Sequence, residues 1–170
     1  MALFDFLKNK ASDDCMRAIV SGEVRPIETV EDEVFSAKIL GNGVAFEPDK
    51  SQSVVCPADG VVTTADKAMP HALGLKLANG AEVLIHVGID TVEIKGKGFG
   101  LRVSKGQKVA CGQPLLDFDL DEILASGHRP TIMLVVTETE KPGLRLLSGM
   151  KAVAGQTIVA EYDQKEGSEI

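Results

Sequence analysis

Residues 71–93 read HALGLKLANGAEVLIHVGIDTVE and contain the clearest structural signal in the chain. The dipeptide Asn79-Gly80 separates two apolar runs and is the strongest short-range signal for a β-hairpin, because both turn positions need a positive φ. With this dipeptide as a two-residue loop, His71 lies opposite Gly88. His71 and His86 are then diagonal neighbours on one face of the hairpin, roughly 7–8 Å apart at the backbone. A three-residue loop shifts one strand by one position and breaks this pairing.

Alternation along the second strand of the hairpin separates two faces. On one face His86 is followed by Gly88, which has no side chain, and then by Asp90. A histidine with open space over it is a candidate for reaction rather than for packing. The other face is expected to point into an aliphatic core through Val83, Ile85, Val87 and Ile89.

Two facing histidines fit four interpretations, and the pattern alone leaves all four open. A metal site needs a third or fourth ligand; Asp90 is the only nearby carboxylate on that face, and no H-x-H or H-E-x-x-H motif is present. Acid–base catalysis is possible because histidine titrates near neutrality. In nucleophilic catalysis one imidazole is phosphorylated and the other holds the phosphoryl group. The fourth interpretation is a hydrogen-bonded pair without chemistry.

Outward from the hairpin, 17 Gly and 7 Pro divide the chain into short apolar runs. Such frequent turn signals predict an all-β fold, an antiparallel sandwich or barrel-like structure with short helical turns only. The helical turns are expected within residues 1–10 and 119–127. Strands are expected at 18–20, 44–46, 54–56, 60–63, 73–77, 83–89, 108–110, 114–118, 131–137 and 156–161.

Two pairs of short motifs suggest a duplicated β motif. Residues 20–24 (VSGEV) resemble residues 58–62 (ADGVV), and residues 105–109 (KGQKV) resemble residues 154–158 (AGQTI). The alternative is that these motifs are common turn chemistry in any β protein.

Composition excludes several classes of protein. The chain has 170 residues, 44% hydrophobic and 25% charged, with a net charge of −7, so it is a folded chain that does not bind nucleic acid through phosphates. Its start is not a secretory signal, and no apolar run is long enough to span a membrane. Its three cysteines, which lie far apart, form neither a disulfide framework nor a zinc site, which favours a cytoplasmic location. They are Cys15, Cys56 and Cys111.

The expected organisation is one domain with two tails. Residues 1–17 form an N-terminal tail, residues 18–162 the domain, and residues 163–170 an acidic disordered tail. The start, MALFDFLKNK, has Leu3, Phe4 and Leu7 at helical spacing. It is either a frayed end or an amphipathic segment that touches a lipid surface.

The run IHVGIDTVE at residues 85–93, followed by KGKGF at 95–99, strongly resembles the phosphorylation-site signature of glucose-type IIA proteins. These are components of the bacterial phosphoenolpyruvate-dependent sugar phosphotransferase system. The resemblance covers about residues 18–160, and the start of the chain is similar to the membrane-touching tail of free-standing members. Further matching segments are 21–24, 34–45, 57–60, 106–109 and 118–120.

The resemblance implies a phosphotransferase with a phosphohistidine intermediate and without metal or cofactor. By position, His86 accepts the phosphoryl group on Nε2, and His71 hydrogen-bonds the phosphoryl oxygens. The implied partners are the phosphocarrier HPr and the IIB domain of a glucose-type sugar permease, with possible regulated permeases or enzymes and weak membrane contact through residues 1–10. The implied partner-binding rim is Asp32, Val34, Phe35, Gly88, Asp90, Val92 and Glu93.

The sequence departs from the family pattern at two positions. Met69 stands two residues before the second histidine, where members usually carry a Thr whose hydroxyl helps to hold the pair. Val87 stands where members often have Phe. These departures put the transfer rate in doubt, and they leave a phosphorylation-dependent regulatory binding protein without efficient transfer as an alternative.

A lipoyl or biotinyl carrier domain is the other alternative. Residues 66–68 read DKA, the attachment triplet of lipoyl domains. Such domains are about half as long, however, and carry the lysine at the tip of a tight hairpin. Lys67 is therefore expected to be a solvated loop residue, and the remaining histidine, His128, a solvated surface residue.

Overall fold

The computed structural model describes residues 14–163, and within them nearly all regular structure is β-strand. Every strand pairing is antiparallel. One sheet has eight strands in the order β13 (Lys151–Ala152), β2 (Gly22–Pro26), β3 (Asn42–Pro48), β11 (Ile132–Thr139), β7 (Ala81–Val87), β6 (Ala72–Leu77), β5 (Gly60–Ala65) and β9 (Lys108–Val109). Two further sheets have three strands each. The strand order of the first is β1 (Cys15–Arg17), β14 (Ile158–Tyr162) and β12 (Leu144–Leu146). The strand order of the second is β4 (Gln52–Val55), β10 (Pro114–Phe118) and β8 (Phe99–Leu101). The predicted all-β antiparallel sandwich is confirmed.

The strand order has an internal two-fold correspondence. Strands β1 to β3 correspond to β4 to β6, and strands β7 to β10 correspond to β11 to β14. When each strand is replaced by its counterpart, the strand order of the eight-stranded sheet is the same read backwards, and one small sheet becomes the other. The predicted duplication is therefore confirmed in the topology. Its centre is the pairing of β7 with β11, where Met133 lies opposite His86.

One of the two predicted motif pairs was matched to the wrong partner. The turns at Gly106 and Gly149 are equivalent, because their amides donate to Val62 and Val24 at 2.7 and 2.8 Å. The turn at Gly155 corresponds instead to that at Gly112, because the Gly155 amide donates to the Ala18 carbonyl and the Gly112 amide to the Cys56 carbonyl, both at 2.8 Å. The prediction paired residues 154–158 with residues 105–109 because both contain Gly-Gln. In the first of the two repeats this dipeptide precedes β9, whereas in the second it follows β13, which is the counterpart of β9.

Two apolar clusters lie on opposite faces of the eight-stranded sheet. The larger fills the interior between this sheet and the two small sheets, and it includes Val83, Ile85 and Val87 of β7 as predicted. The smaller covers the other face at residues Ile27, Val30, Phe35, Ala45, Ile89, Met133 and Val135. Ile89 was predicted in the larger core, which is wrong. Strand β7 ends at Val87, and the positive φ of Gly88 breaks the alternation.

The hairpin of β6 and β7 differs by one residue from the predicted register. Ala72, not Leu73, lies opposite His86, and Leu73 lies opposite Ile85. The connection is therefore three residues long, and the Asn79 side chain accepts a hydrogen bond from the Ala81 amide at 3.0 Å. Asn-Gly marks the turn correctly, but it does not determine how many residues the loop contains.

The short helices position loops around the sheet. The predicted turn of helix near residue 119 is confirmed as α2 (Leu120–Ala125), which is capped by Asp119 and followed by Gly127 at φ +83°. Sequence patterns did not predict α1 (Glu33–Ser36) or the two 3₁₀ turns at Ile27–Thr29 and Thr91–Ile94.

The chain enters the fold earlier than expected. Residues 15–17 were assigned to the N-terminal tail, whereas they form β1 against β14, with Met16 fully buried. The possible helical turn within residues 1–10 and the acidic segment from residue 164 onward lie outside the described residues.

Residues 14–163 contain neither a membrane-spanning helix nor a cluster of metal-ligating side chains. No helix there is both long enough and apolar enough to cross a bilayer. Nor does this part of the chain bring three or more His, Cys, Asp or Glu side chains together in an arrangement that could hold a metal ion.

Candidate functional site

His71 and His86 form a pair on the face of the eight-stranded sheet away from the larger core. Their ring centroids lie 5.0 Å apart, and the rings meet edge to face at 79°. The predicted pair is thus present, but it forms by a different route. His71 precedes β6, and its carbonyl accepts the Val87 amide at 2.8 Å. Because His71 lies before the first residue of β6, its side chain does not follow the alternation of that strand, and it contacts the ring of His86.

A backbone carbonyl determines which nitrogen of His86 carries the proton. Nδ1 of His86 lies 2.8 Å from the carbonyl oxygen of Gly88. Because a carbonyl oxygen only accepts hydrogen bonds, Nδ1 holds the hydrogen and Nε2 keeps its lone pair. Burial lowers the pKa of His86 to about 4, and the neighbouring His71 adds to this effect. Near neutral pH the ring is therefore uncharged, with Nε2 as a nucleophile.

Gly88 positions His86 rather than leaving open space over it, as the sequence had suggested. Its φ is +82°, and a Cβ at this position would lie 2.2 Å from Cγ2 of Thr91. The hydroxyl of Thr91, which is fully buried, donates to the Val87 carbonyl. Only glycine fits here without strain, and its conformation directs the carbonyl toward His86.

Aromatic rings hold the two imidazoles in place. Phe35 packs on His86 with ring centroids 5.1 Å apart, and Phe99 lies 6.4 Å from His71. Phe35 is buried and is carried by α1. The Asp32 side chain caps this helix by accepting the Val34 amide at 2.9 Å. Phe99, which ends the matching segment 95–99, is carried by β8, and β8 pairs with β10 of the small sheet.

A polar network supports the site from the neighbouring strands, and sequence analysis did not identify it. The Gly88 amide donates to the Thr131 carbonyl at 2.9 Å. The Thr131 hydroxyl donates to Oε1 of Glu47, which also accepts from Arg25 at 3.2 Å. These residues are far apart in the chain, and only the pairing of β2, β3 and β11 brings them together.

The surface around the histidines is apolar at its centre. Val34 and Val92 of the predicted rim are 43% and 51% exposed, so they are available to a partner. Sequence analysis missed Ile39, whose amide donates to the Val34 carbonyl at 3.2 Å and whose side chain is 68% exposed. Met69 is also exposed, and it adds apolar surface next to His71.

Charged side chains surround this apolar centre. Asp90 and Glu93 of the predicted rim are exposed. Glu93 lies 3.9 Å from His128, which also contacts the Ser126 hydroxyl at 2.9 Å. His128 was expected to be fully solvated, whereas its side chain is only 15% exposed. It belongs to the loop that packs beside Gly88.

Lys67 lies in the connection 66–71 between β5 and β6, and it is exposed as expected. The loop contains a turn in which the Met69 amide donates to the Asp66 carbonyl at 2.9 Å. It ends at Pro70 and His71. Lys67 is therefore not at the tip of a tight hairpin of the kind that carries a lipoyl group.

Burial of His86 predicts a pH-dependent stability. Between pH about 6.5 and about 4 the unfolded chain binds a proton at this residue that the folded chain does not, so the free energy of unfolding falls as the pH is lowered. The contribution of His86 is about 3 kcal/mol across this window. Burial also lowers the pKa of His71, which acts in the same direction. Urea unfolding at a series of pH values measures the slope.

The variant His86→Gln identifies the source of that slope, with His128→Gln as the matched control. We expect stability to depend much less on pH in His86→Gln than in the wild type between pH 6.5 and 4. An unchanged slope in this variant contradicts the assignment of a half-buried, neutral His86.

Comparison with known proteins gives one consistent family. Residues 15–142 match the model of the family described as phosphoenolpyruvate-dependent sugar phosphotransferase system, EIIA 1. The glucose-specific EIIA component of Bacillus cereus is 36% identical over 160 residues, which are 94% of this chain and 96% of that protein. The same values hold for the glucose-specific EIIA component of Bacillus anthracis.

Two further comparisons extend this result. The β-glucoside-specific EIIBCA component of Bacillus subtilis is 41% identical over 133 residues, which are 78% of this chain but only 22% of that longer protein. The solved structure of glucose permease IIA from Mycoplasma capricolum matches with a TM-score of 0.78 at 30% identity. This match covers 86% of the present chain and 93% of the other.

Proposed function

This chain belongs to the EIIA 1 family of the phosphoenolpyruvate-dependent sugar phosphotransferase system, and from that premise we propose that it carries its phosphoryl group on Nε2 of His86. The chain is a phosphocarrier of that system and has a transferase role. In the proposal, phospho-HPr donates the group to His86. The IIB domain of a glucose-type sugar permease then accepts it.

One observation carries the proposal, namely the hydrogen bond from Nδ1 of His86 to the Gly88 carbonyl. It leaves Nε2 as the nitrogen with a lone pair. The low pKa of His86 keeps this lone pair unprotonated near pH 7. A nucleophile for an incoming phosphoryl group is therefore present without a separate base.

The transfer is an in-line displacement between two imidazoles. The Nε2 lone pair of His86 forms the new N–P bond, and the N–P bond of the donor phosphohistidine breaks. The donor imidazole leaves with that electron pair and becomes neutral, while the positive charge moves to the ring of His86. The Gly88 carbonyl, which accepts the Nδ1–H, stabilises this charged ring.

His71 is proposed to stabilise the charge on the phosphoryl oxygens. Its ring lies edge to face with His86, so an N–H of His71 can donate to the group on Nε2. Phosphoryl transfer depends on such positioned donors rather than on covalent help from the protein. The buried Phe35 and the apolar rim restrict water, which protects the labile phosphohistidine.

The partner surface is proposed to be the apolar centre and its acidic surroundings. Val34 and Val92 offer exposed apolar area, while Asp32, Asp90 and Glu93 contribute negative charge. With a net charge of −7 over the whole chain, a basic partner surface is attracted and association is accelerated. HPr and IIB then use the same surface in turn, because each must bring its reactive residue to His86.

The other predictions on partners and placement remain predictions. They are regulated permeases or enzymes, weak membrane contact through residues 1–10, a cytoplasmic location, and the presence of a tail on each side of one domain. The two alternative functions, a regulatory protein without efficient transfer and a lipoyl or biotinyl carrier, are not favoured by the comparisons.

Phosphoryl uptake tests the proposed function. The chain is incubated with phosphoenolpyruvate, the general phosphotransfer protein and HPr, and its intact mass is recorded with and without acid treatment. We expect a mass gain of one phosphoryl group that acid removes. If omission of HPr leaves the uptake unchanged, or if no acid-labile group is gained, the proposal is wrong.

Met69 provides a test of how the histidine pair is oriented. The family resemblance places Thr at this position, and a hydroxyl near His71 adds a hydrogen bond of about 1 kcal/mol. We expect Met69→Thr to raise the rate of transfer to IIB by roughly 5-fold. Met69→Val is the control, because valine has the shape of threonine without the hydroxyl. Met69 is exposed, so the fold is expected to tolerate both substitutions. Equal rates in the two variants contradict the role of the hydroxyl.

A further inference from the structure

A groove of about 600 Å³ lies at the end of β6 away from His71. It is formed where β5, β6 and β9 meet, and its lining is largely apolar. The groove lies at the opposite end of this strand from the histidine pair, so the proposed phosphoryl transfer does not use it. The apolar side chains that line it are Val61, Leu77, Ala78, Val109 and Ala110.

One lysine lies on each side of the groove, and the two differ in whether they form an ion pair. Val61 is 36% exposed and lies between Lys76 and Lys108 in the register of the sheet. Lys76 forms an ion pair with Glu140 at 3.3 Å. Lys108 has no ion-pair partner among residues 14–163. The groove therefore offers apolar surface next to one lysine without an ion pair among these residues, while the Asp59 carboxylate in the same lining accepts the Cys111 amide.

The last residue of β1, Arg17, lies beside this groove. The Cys111 amide donates to Oδ1 of Asp59 at 2.8 Å, and Asp59 and Ala110 both line the groove. Pro57 links this corner to β1, because its carbonyl accepts both the Arg17 amide at 2.8 Å and the Cys111 thiol at 3.5 Å. At the other end of β1, Asp14 pairs with Lys141 at 3.7 Å. The neighbouring Glu140 pairs with the groove residue Lys76 at 3.3 Å, so the thirteen residues before Asp14 leave the described fold near the groove.

We propose that the N-terminal segment Leu3–Leu7 docks in this groove. The segment reads LFDFL, so it provides four large apolar side chains around one carboxylate, Asp5. Burial of each large apolar side chain contributes roughly 1.5–3 kcal/mol, and Asp5 is available to Lys108. The first ten residues are too short to be a stable helix alone in water, so a groove within reach is a preferred environment.

The length of the connection makes the docking possible. Leu7 and Asp14 are separated by seven peptide units, which span at most about 25 Å when extended. A tether of this length gives a local concentration in the millimolar range. Even a weak apolar contact is then occupied for much of the time.

Backbone amide spectra of full-length variants test the proposal. The variant Leu3→Ser/Phe4→Ser/Leu7→Ser removes the apolar side chains, and Lys8→Ser/Lys10→Ser is the matched control with the same segment length. We expect the first variant to shift the amide signals of Val61, Ala78, Val109 and Ala110, while those of His71 and His86 stay in place. The control leaves all six unchanged.

A groove variant provides the reciprocal test. Val61→Glu alters an exposed position, so the fold is expected to persist, and it should change the signals of residues 3–7 by repelling Asp5. The proposal is overturned if neither variant affects the opposite partner. It is also overturned if the shifts depend on protein concentration, which indicates a second copy in the groove. If the signals of residues 3–7 change only when vesicles that contain anionic lipid are added, the segment binds a membrane surface instead of the groove, and the proposal is overturned. None of these outcomes depends on phosphorylation of His86.

Discussion

We expect the variant His86→Ala to take up no phosphoryl group from phospho-HPr. The substitution removes Nε2, which is the nitrogen left with a lone pair by the bond from Nδ1 to the Gly88 carbonyl. His71 does not replace it, because no carbonyl in the described residues fixes the tautomer of its ring. The readout is the intact mass after incubation with phosphoenolpyruvate, the general phosphotransfer protein and HPr.

His128→Ala is the matched control for this loss. It removes the third histidine of the chain by the same substitution, and it is expected to gain one phosphoryl group as the wild type does. Uptake by His86→Ala at a rate comparable to the wild type places the acceptor elsewhere and contradicts the proposed site.

The variant His71→Ala separates acceptance from donation. We expect it to accept a phosphoryl group from phospho-HPr but to pass it to IIB about 10²-fold more slowly, because one donor to the developing charge is lost. The two half-reactions are measured separately, first with phospho-HPr in excess and then with purified phosphoprotein and IIB.

Two controls distinguish this role from a general structural effect. His71 is buried against His86 and Phe99, so urea unfolding must show that His71→Ala remains folded under the assay conditions. A variant that is folded and loses both half-reactions equally indicates that His71 only shapes the pocket. Unimpaired donation to IIB shows that His71 has no role in transfer.

The fold class could be predicted from the sequence because it depends on local signals. Frequent Gly and Pro predict short strands, and the alternation from Val83 to Val87 correctly separates the two faces of β7. The helical turn within residues 119–127 was also predicted, and it is confirmed as α2. Each of these features is determined by residues only a few positions apart.

The hairpin shows where local reasoning fails. The histidine pair was predicted from a register that is wrong by one residue, and it forms because His71 lies just before β6 begins. Alternation also stops at Gly88, so Ile89 joins the smaller cluster and not the main core. The positive φ of Gly88 directs the Ile89 side chain to the opposite face of the sheet. The alternation of apolar residues in the sequence does not show this change.

The supporting residues of the site could not be predicted, because long-range pairing brings them together. Thr131 and Glu47 are 84 positions apart, and their contact requires β3 and β11 to be neighbours. Phe99 reaches His71 through the small sheet. The family resemblance identified both histidines, whereas the carbonyl that orients His86 is visible only in the structure.

The most direct test of the central claim is ³¹P and ¹⁵N NMR of the phosphorylated chain with ¹⁵N-labelled histidine. Coupling between phosphorus and nitrogen identifies the phosphorylated atom. We expect a single phosphoryl group on Nε2 of His86, with Nδ1 still protonated and donating to the Gly88 carbonyl. A phosphoryl group on Nδ1 of His86, or on either nitrogen of His71, contradicts it.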